Sequence, residues 1–363
     1  MRDWWLPRLT VRCLLLVPLA VLFGCAAIVR RALYRSGVLA AQRLPVPVIV
    51  VGNLTIGGSG KTPLVIALVK ALREQGWRPG VISRGYGRNN TEPTGSVEVT
   101  LESAPTNSGD EPLLIARAAR VPVFVDADRA RAGRTLLAAY PEVNVIISDD
   151  GLQHYALARD IEIAVFDERG AGNGCLLPVG PLREPLARAA TLTALVVNDS
   201  GGIAAKNSLH QRFPAMHQMK LVPQLCYRLS NQADTSTLAA LAARAPHGRI
   251  AAMAGIGNPA RFFAALRAGS LGVKGLGDGT ANVSDVAVNH GPSFTEHVFP
   301  DHHAYTRADL TAINADILII TEKDALKCAS FDDDRVWVLP VTAQVDGALI
   351  ELILEKLRGR QAA

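Results

Sequence analysis

The sequence predicts an α/β protein: a doubly wound parallel sheet, a second and smaller α/β domain, and an N-terminal membrane-associated helix. Three observations predict this. Short, continuously apolar runs alternate with helical patterns through the first half of the chain, as parallel strands buried on both faces require. The pattern weakens over 201–224 and then resumes as a shorter series. Near the start, an apolar segment over 13–29 is bracketed by Arg12 and Arg30.

The N-terminal segment explains the charge of the whole chain. Residues 1–43 carry seven arginines, one aspartate and no lysine, a net +6 within a total of +5, which leaves the remainder about −1. The basic charge is thus not spread along a nucleic-acid groove, and no nucleic-acid partner is expected. Arginines beside an apolar segment suit an anionic membrane surface, where each contributes roughly 1 kcal/mol. The 17 apolar residues from Cys13 to Val29 sit at the lower limit for a span, with Trp4, Trp5 and Tyr34 as interfacial aromatics. A cleaved signal, a single span and a helix lying in the bilayer surface all compete. Export would carry a nucleotide site away from its nucleotide, so the catalytic part is expected on the cytoplasmic side, with the surface-lying helix favoured. Five scattered cysteines form no CxxC pair, which argues against a zinc site or a disulfide framework.

After this anchor (1–43) a core domain is expected over 44–215, with strands at 46–51, 81–83, 121–126, 143–149, 161–167 and 193–198. A helix over 63–75 is closed by Gly76. The smaller domain (216–345) has strands at 249–254, 316–321 and 336–339 and a helix from Pro259. A closing helix and tail fill 346–363.

The strongest motif is Asn53-Leu-Thr-Ile-Gly-Gly-Ser-Gly-Lys-Thr-Pro63, between a buried strand and a helix. Gly57, Gly58 and Gly60 let backbone amides of Thr55, Ile56 and Ser59 and their neighbours converge on phosphate oxygens at a helix N-terminus. Lys61 would bridge the β- and γ-phosphates, and the Thr62 hydroxyl would ligate Mg²⁺. This places the sheet in the P-loop NTPase class, although Thr55 stands where the G-x-x-x-x-G-K-[ST] template has its first glycine. A P-loop needs a further acid at the end of a neighbouring strand. Asn144-Val-Ile-Ile-Ser-Asp-Asp150 supplies Asp149 and Asp150.

Nucleotide binding alone does not choose between a kinase, a switch and a chemomechanical ATPase. Further clusters follow the strands: Arg84-Gly-Tyr-Gly-Arg88, Ser108-Gly-Asp-Glu-Pro112, Asp149-Asp-Gly-Leu-Gln-His154, Pro178-Val-Gly-Pro-Leu-Arg-Glu-Pro185, Phe299-Pro-Asp-His-His303 with Tyr305, and Thr321-Glu-Lys-Asp324. Together and in this order they resemble the bacterial tetraacyldisaccharide 4′-kinase (lipid A 4′-kinase) family, from the anchor to at least Ala325. That family's loop also lacks the first glycine. The resemblance implies ATP and Mg²⁺, phosphorylation of the 4′-hydroxyl of tetraacyldisaccharide 1-phosphate at the cytoplasmic face of the inner membrane, and an active site between two α/β domains.

It further implies that Asp110 is the general base, partnered by a histidine mapped to His302, with His303 the alternative. Thr62, Asp149 and Glu184 are the expected Mg²⁺ ligands, directly or through water. Tyr86, Arg88, Asp150, Gln153 and Arg183 are expected to position phosphates or substrate. Taken alone, Asp110 also suits a helix N-cap, and the two histidines a surface loop. Lys323 and Asp324 suit domain packing as well as substrate contact. The competing function is a membrane-bound P-loop switch that couples hydrolysis to a protein partner, in which Asp110 would be dispensable. The leading reading calls for no obligate protein partner.

Overall fold

The computed structural model describes residues 11–361, apart from 87, 89–94, 199–208, 210–211, 214 and 271–293. Arg2, Arg8, Trp4 and Trp5 of the N-terminal flank lie outside the described residues, as do 201–208 of the expected junction. The chain divides into two compact units, one formed by Met1–Leu221 with Ala343–Ala363 and one by Val222–Thr342.

In the larger unit, eight strands appear in chain order: β1 (Val48–Gly52), β2 (Pro79–Ser83), β3 (Val97–Glu98), β4 (Val123–Val125), β5 (Val145–Asp149), β6 (Ile161–Phe166), β7 (Ala194–Asn198) and β8 (Met216–Pro223). They lie side by side in the order β8-β7-β6-β1-β5-β2-β4-β3. All neighbours run parallel except β3 with β4. β1, β2, β5 and β7 are buried at every residue, which accounts for their mostly apolar sequences; the polar residues Ser83, Ser148, Asp149 and Asn198 stand at their carboxyl ends. Because β1 is flanked by β5 and β6, the chain reverses its winding direction there. That crevice at the carboxyl ends is where a doubly wound sheet takes its ligand. Register puts Val51 opposite Asp149 and Ile82 opposite Ser148, so the segments leaving β1, β2 and β5 share one edge.

The helix Lys61–Glu74 covers this sheet with Leu64, Val65, Leu68, Val69 and Leu72, a helical spacing on one buried face. Gly76 ends it at a φ of 81°, a left-handed position suited to glycine.

The N-terminal helix Val17–Arg35, with the short turn Val11–Leu15 before it, also belongs to the larger unit. It is long and apolar enough to cross a membrane by length and composition, with a mean hydropathy of 1.6. One seam of it is nonetheless docked. Cys13 and Ala20 pack with Val179 and Cys175, and Gly24 lies against Leu176. Arg31 donates to the Thr191 hydroxyl at 2.9 Å, and the Tyr34 ring lies 6.1 Å from that of Tyr155. Leu14, Leu15, Leu19, Leu22, Ile28 and Val29 remain exposed on the other faces.

The smaller unit holds β9 (Cys226–Arg228), β10 (Thr235–Ser236), β11 (Ile250–Ala254), β12 (Phe294–Val298), β13 (Ile317–Thr321) and β14 (Val336–Leu339), in the order β10-β9-β14-β13-β11-β12. β14, β13, β11 and the edge strand β12 run parallel, and β11, β13 and β14 are buried at every residue. The last strand, β15 (Val341–Val345), returns beside β8 in the first sheet. The terminal helix Gly347–Gln361 then buries Leu349, Ile353 and Leu357, while Arg360 pairs with Asp160 and reaches the Leu44 carbonyl. The helix Gly347–Gln361 thus contributes to the larger unit's core.

Candidate active site

The glycine-rich loop leaves β1 and is braced from three sides. The Asn53 side-chain amide donates to the Gly57 carbonyl at 3.1 Å, and that of Asn198, at the end of β7, donates to the Ser59 carbonyl at 3.2 Å. The Ile56 amide donates to the Pro181 carbonyl, and Thr55 bridges Leu182 across a short antiparallel contact. Gly57 and Gly60 have φ values of 97° and 94°, so the loop needs glycine at both positions. At Gly60 even a Cβ would meet the Asn198 amide nitrogen at 2.5 Å. Lys61 and Thr62 open the helix Lys61–Glu74, as the motif predicts.

Acids and bases gather at the carboxyl edge. Asp150, in a left-handed conformation at φ 48°, sits 3.6 Å from the Lys61 ammonium and 3.2 Å from the Arg183 guanidinium. Burial acts to raise its carboxyl, but Lys61 and Arg183 outweigh that and hold it below the usual carboxylate range. Arg183 also donates to the Gln153 side chain at 3.3 Å, and Gln153 donates to the Asn53 carbonyl at 3.2 Å. Lys61, Asp150, Gln153 and Arg183 therefore form one network.

Asp149, the last residue of β5, behaves oppositely. Burial, with the neighbouring carboxylates Glu111 and Asp150, pushes its carboxyl up to about 7 against the pull of Lys61 and Arg129. Its Oδ2 accepts from Ser83 at 3.4 Å, while its buried Oδ1 has no protein partner. A buried carboxylate oxygen without a donor, beside two further acids, fits a divalent cation. Among the described residues no three acidic, imidazole or thiol groups converge on one point. This suits Mg²⁺, which takes one or two carboxylates and otherwise water and phosphate oxygens.

Asp110 begins the helix Asp110–Ala119 and is buried, but the cap position belongs to Gly109, at φ 86°. Its bland reading as a helix N-cap therefore does not hold. The Arg84–Arg88 loop backs directly onto this turn: a Cβ on Gly109 would meet the Tyr86 carbonyl at 2.7 Å, and one on Gly85 the Ser108 carbonyl at 3.0 Å. Tyr86 and Arg88 are thus neighbours of Asp110 in space, with the Tyr86 ring exposed.

Glu184 lies elsewhere. It accepts from the Tyr155 hydroxyl at 2.6 Å, faces Arg188 at 3.7 Å, and feels the charge of Arg31 on the N-terminal helix. A further carboxylate whose charge acts on Asp149 is Glu111. Glu111 was visible in the sequence only as the acid beside Asp110, since its approach to Asp149 depends on how the helix Asp110–Ala119 packs in the fold. Arg129 is a second residue the motifs did not mark. It is buried, and both Asp149 and Asp150 act on it. Arg169 is a third: paired with Asp167 after β6, its guanidinium lies 3.2 Å from where a Cβ on Gly57 would stand.

In the smaller unit the two histidines are distinguished by their partners. The His303 ring is stacked near Phe299 and Tyr305, with centroids at 4.8 and 4.9 Å, and its Nε2 lies 3.4 Å from Asp309. His302 takes the left-handed region at φ 60°, and its Nε2 lies 3.5 Å from the Lys323 ammonium.

Known proteins match this chain along its length. The family model described as tetraacyldisaccharide-1-P 4′-kinase matches residues 12–278 and 270–358. A tetraacyldisaccharide 4′-kinase of Dechloromonas aromatica is 47% identical over 100% of this chain and 98% of its own length. One of Janthinobacterium sp. (strain Marseille) is also 47% identical, over 99% and 96%. Among solved structures, LpxK from Aquifex aeolicus in complex with ATP aligns with a TM-score of 0.70 at 28% identity, covering 96% of this chain and all of that one. Loop, acids and whole-length match lead to one conclusion: this chain belongs to the tetraacyldisaccharide-1-phosphate 4′-kinase family.

Proposed function

We propose that this enzyme transfers the γ-phosphate of ATP to the 4′-hydroxyl of a tetraacyldisaccharide 1-phosphate, working at the cytoplasmic face of the inner membrane. The observation that carries the reading is the meeting of the braced phosphate loop, Lys61 and an unpartnered, buried Asp149 oxygen at one sheet edge. Family membership supplies the acceptor.

The roles follow from the chemistry. Asp110 takes the proton of the 4′-hydroxyl as its oxygen bonds to the γ-phosphorus and the β–γ bridging oxygen leaves with ADP. His302 is the second catalytic residue of this reading. Lys61 and the loop amides of 55–60 stabilise charge on the transferring phosphoryl group. Thr62, Asp149 and Glu111 would hold Mg²⁺, which when bound neutralises the β- and γ-phosphate oxygens. Asp150, Gln153 and Arg183 keep Lys61 in place, and Tyr86 and Arg88 meet the sugar acceptor beside Asp110. Glu184 ties the segment carrying Arg183 to Tyr155 and Arg188.

The substrate's four acyl chains stay in a bilayer, so the enzyme must work at one. A helix docked along its seam from Cys13 to Tyr34 supports a surface-lying anchor, because a crossing would draw the packed domain into the hydrocarbon.

The test is transfer of label from γ-labelled ATP to the lipid acceptor in detergent micelles, comparing the parent with Asp110→Ala. Labelled lipid from the parent and little from the variant is the expected result. An ATP-binding parent that labels no lipid would turn the reading toward a membrane-bound switch.

A further inference from the structure

The Thr321-Glu-Lys-Asp-Ala325 motif has no part in the scheme above, yet in the smaller unit it is built against the histidine loop. Thr321 ends β13 and caps the helix Glu322–Cys328, accepting from the Asp324 amide at 3.1 Å. Asp324 is fully buried and joins three segments. It accepts from the Thr321 hydroxyl at 2.7 Å, the Gly255 amide at 3.2 Å and the Tyr305 hydroxyl at 3.1 Å. Tyr305 in turn packs edge-on against Phe299 and His303. The loop 299–305 is therefore fixed at its base by Asp324. One turn away, Lys323 projects to its tip, with its ammonium 3.5 Å from Asp301 Oδ1 and 3.5 Å from His302 Nε2. Asp301 Oδ1 also accepts the His302 backbone amide at 3.1 Å.

An ammonium carries three donors and no acceptor, so it can pair with Nε2 only when that nitrogen is unprotonated. We propose that Lys323 is a positioning residue for His302: braced by Asp301, it donates to Nε2 and fixes the ring proton on Nδ1. The inference rests on the reading of His302 as a catalytic residue. Its consequence is chemical: with Nε2 engaged by Lys323, the ring presents its Nδ1–H donor in one set orientation.

Two charged groups face His302: Asp301 Oδ1 lies 3.8 Å from Nε2 and 3.5 Å from the Lys323 ammonium, so the carboxylate holds both. His303 is directed to Asp309, and Lys327 to Asp324.

The experiment measures kcat and KM of the full-length enzyme on its lipid acceptor, with Lys323→Met, Lys323→Arg and His302→Asn, each checked by thermal unfolding. Lys323→Met, which removes the donor, is expected to lower kcat several-fold with an unchanged KM for ATP. Lys323→Arg keeps a donor and is expected to retain most of the parental kcat. A parental kcat in Lys323→Met, while His302→Asn is impaired, overturns the role of Lys323 alone. A fully active His302→Asn overturns the catalytic reading of His302 and this inference with it.

Discussion

Asp149 and Asp150 are adjacent in sequence and opposite in electrostatics, because only Asp150 faces Lys61 and Arg183 directly. Asp149, raised by burial and by Glu111 and Asp150, is a group whose folded value exceeds its unfolded one. The stability associated with it is present below the unfolded carboxyl range and is lost as pH rises through about 7. In the nucleotide-free enzyme, Asp149→Asn should therefore raise the unfolding midpoint at pH 8 by about 2–4 °C and by clearly less at pH 5, which lies inside the window where the loss accrues. The same variant should lose most transfer activity. An equal shift at both pH values would show that Asp149 is not ionising in this range. Lys61→Ala should cut kcat by about 10²–10³-fold, as removal of a charge aimed at the transferring phosphoryl group does. Asp110→Ala should cost about 10²–10⁴-fold in kcat while ATP affinity, read by calorimetry, stays within a few-fold. A collapse of that affinity instead would assign Asp110 to metal or structural duty.

The N-terminal helix is an element with two different faces. Cys13, Ala20, Gly24, Arg31 and Tyr34 recur at spacings of seven, four, seven and three, which form one seam on a helix. Gly24 is the closest point, since a Cβ there would stand 2.6 Å from the Leu176 side chain. Gly24→Phe should lever the helix off and lower stability by about 1–3 kcal/mol in denaturant unfolding. Leu22→Glu, on the exposed face, should leave that unfolding within about 0.5 kcal/mol of the parent. It should instead weaken sedimentation with anionic vesicles. A helix that spanned the bilayer freely would show the reverse sensitivity.

At the scale of the whole molecule, the larger unit is assembled from both ends of the chain, and the smaller is one continuous insertion. The terminal helix fills its share of that core with Leu349, Ile353 and Leu357 and clamps Asp160 through Arg360. Truncation after residue 345 should therefore unfold the larger unit, whereas a fragment of 222–342 should keep cooperative unfolding by circular dichroism. A stable 1–345 chain would show that the helix is an accessory.

Much of this was legible from residues alone, because it depends on neighbours in the chain. A short apolar run bounded by turn residues marks a buried strand, and glycines before Lys61-Thr62 make a phosphate loop through local backbone geometry. The motifs likewise marked Asp110, Asp149, Asp150 and Arg183. What only the tertiary structure decided concerns partners far apart in sequence. Packing of the helix Asp110–Ala119 brought the charge of Glu111 to bear on Asp149 and gave Glu184 to Tyr155, while contacts with Phe299 and Tyr305 occupied His303 and left His302 facing Lys323. Packing also turned an apolar helix of spanning length into one docked along a seam, and returned the chain's end to its first domain. Local propensity reads the elements. Long-range packing assigns each side chain its partner, and no spacing along the chain encodes that directly.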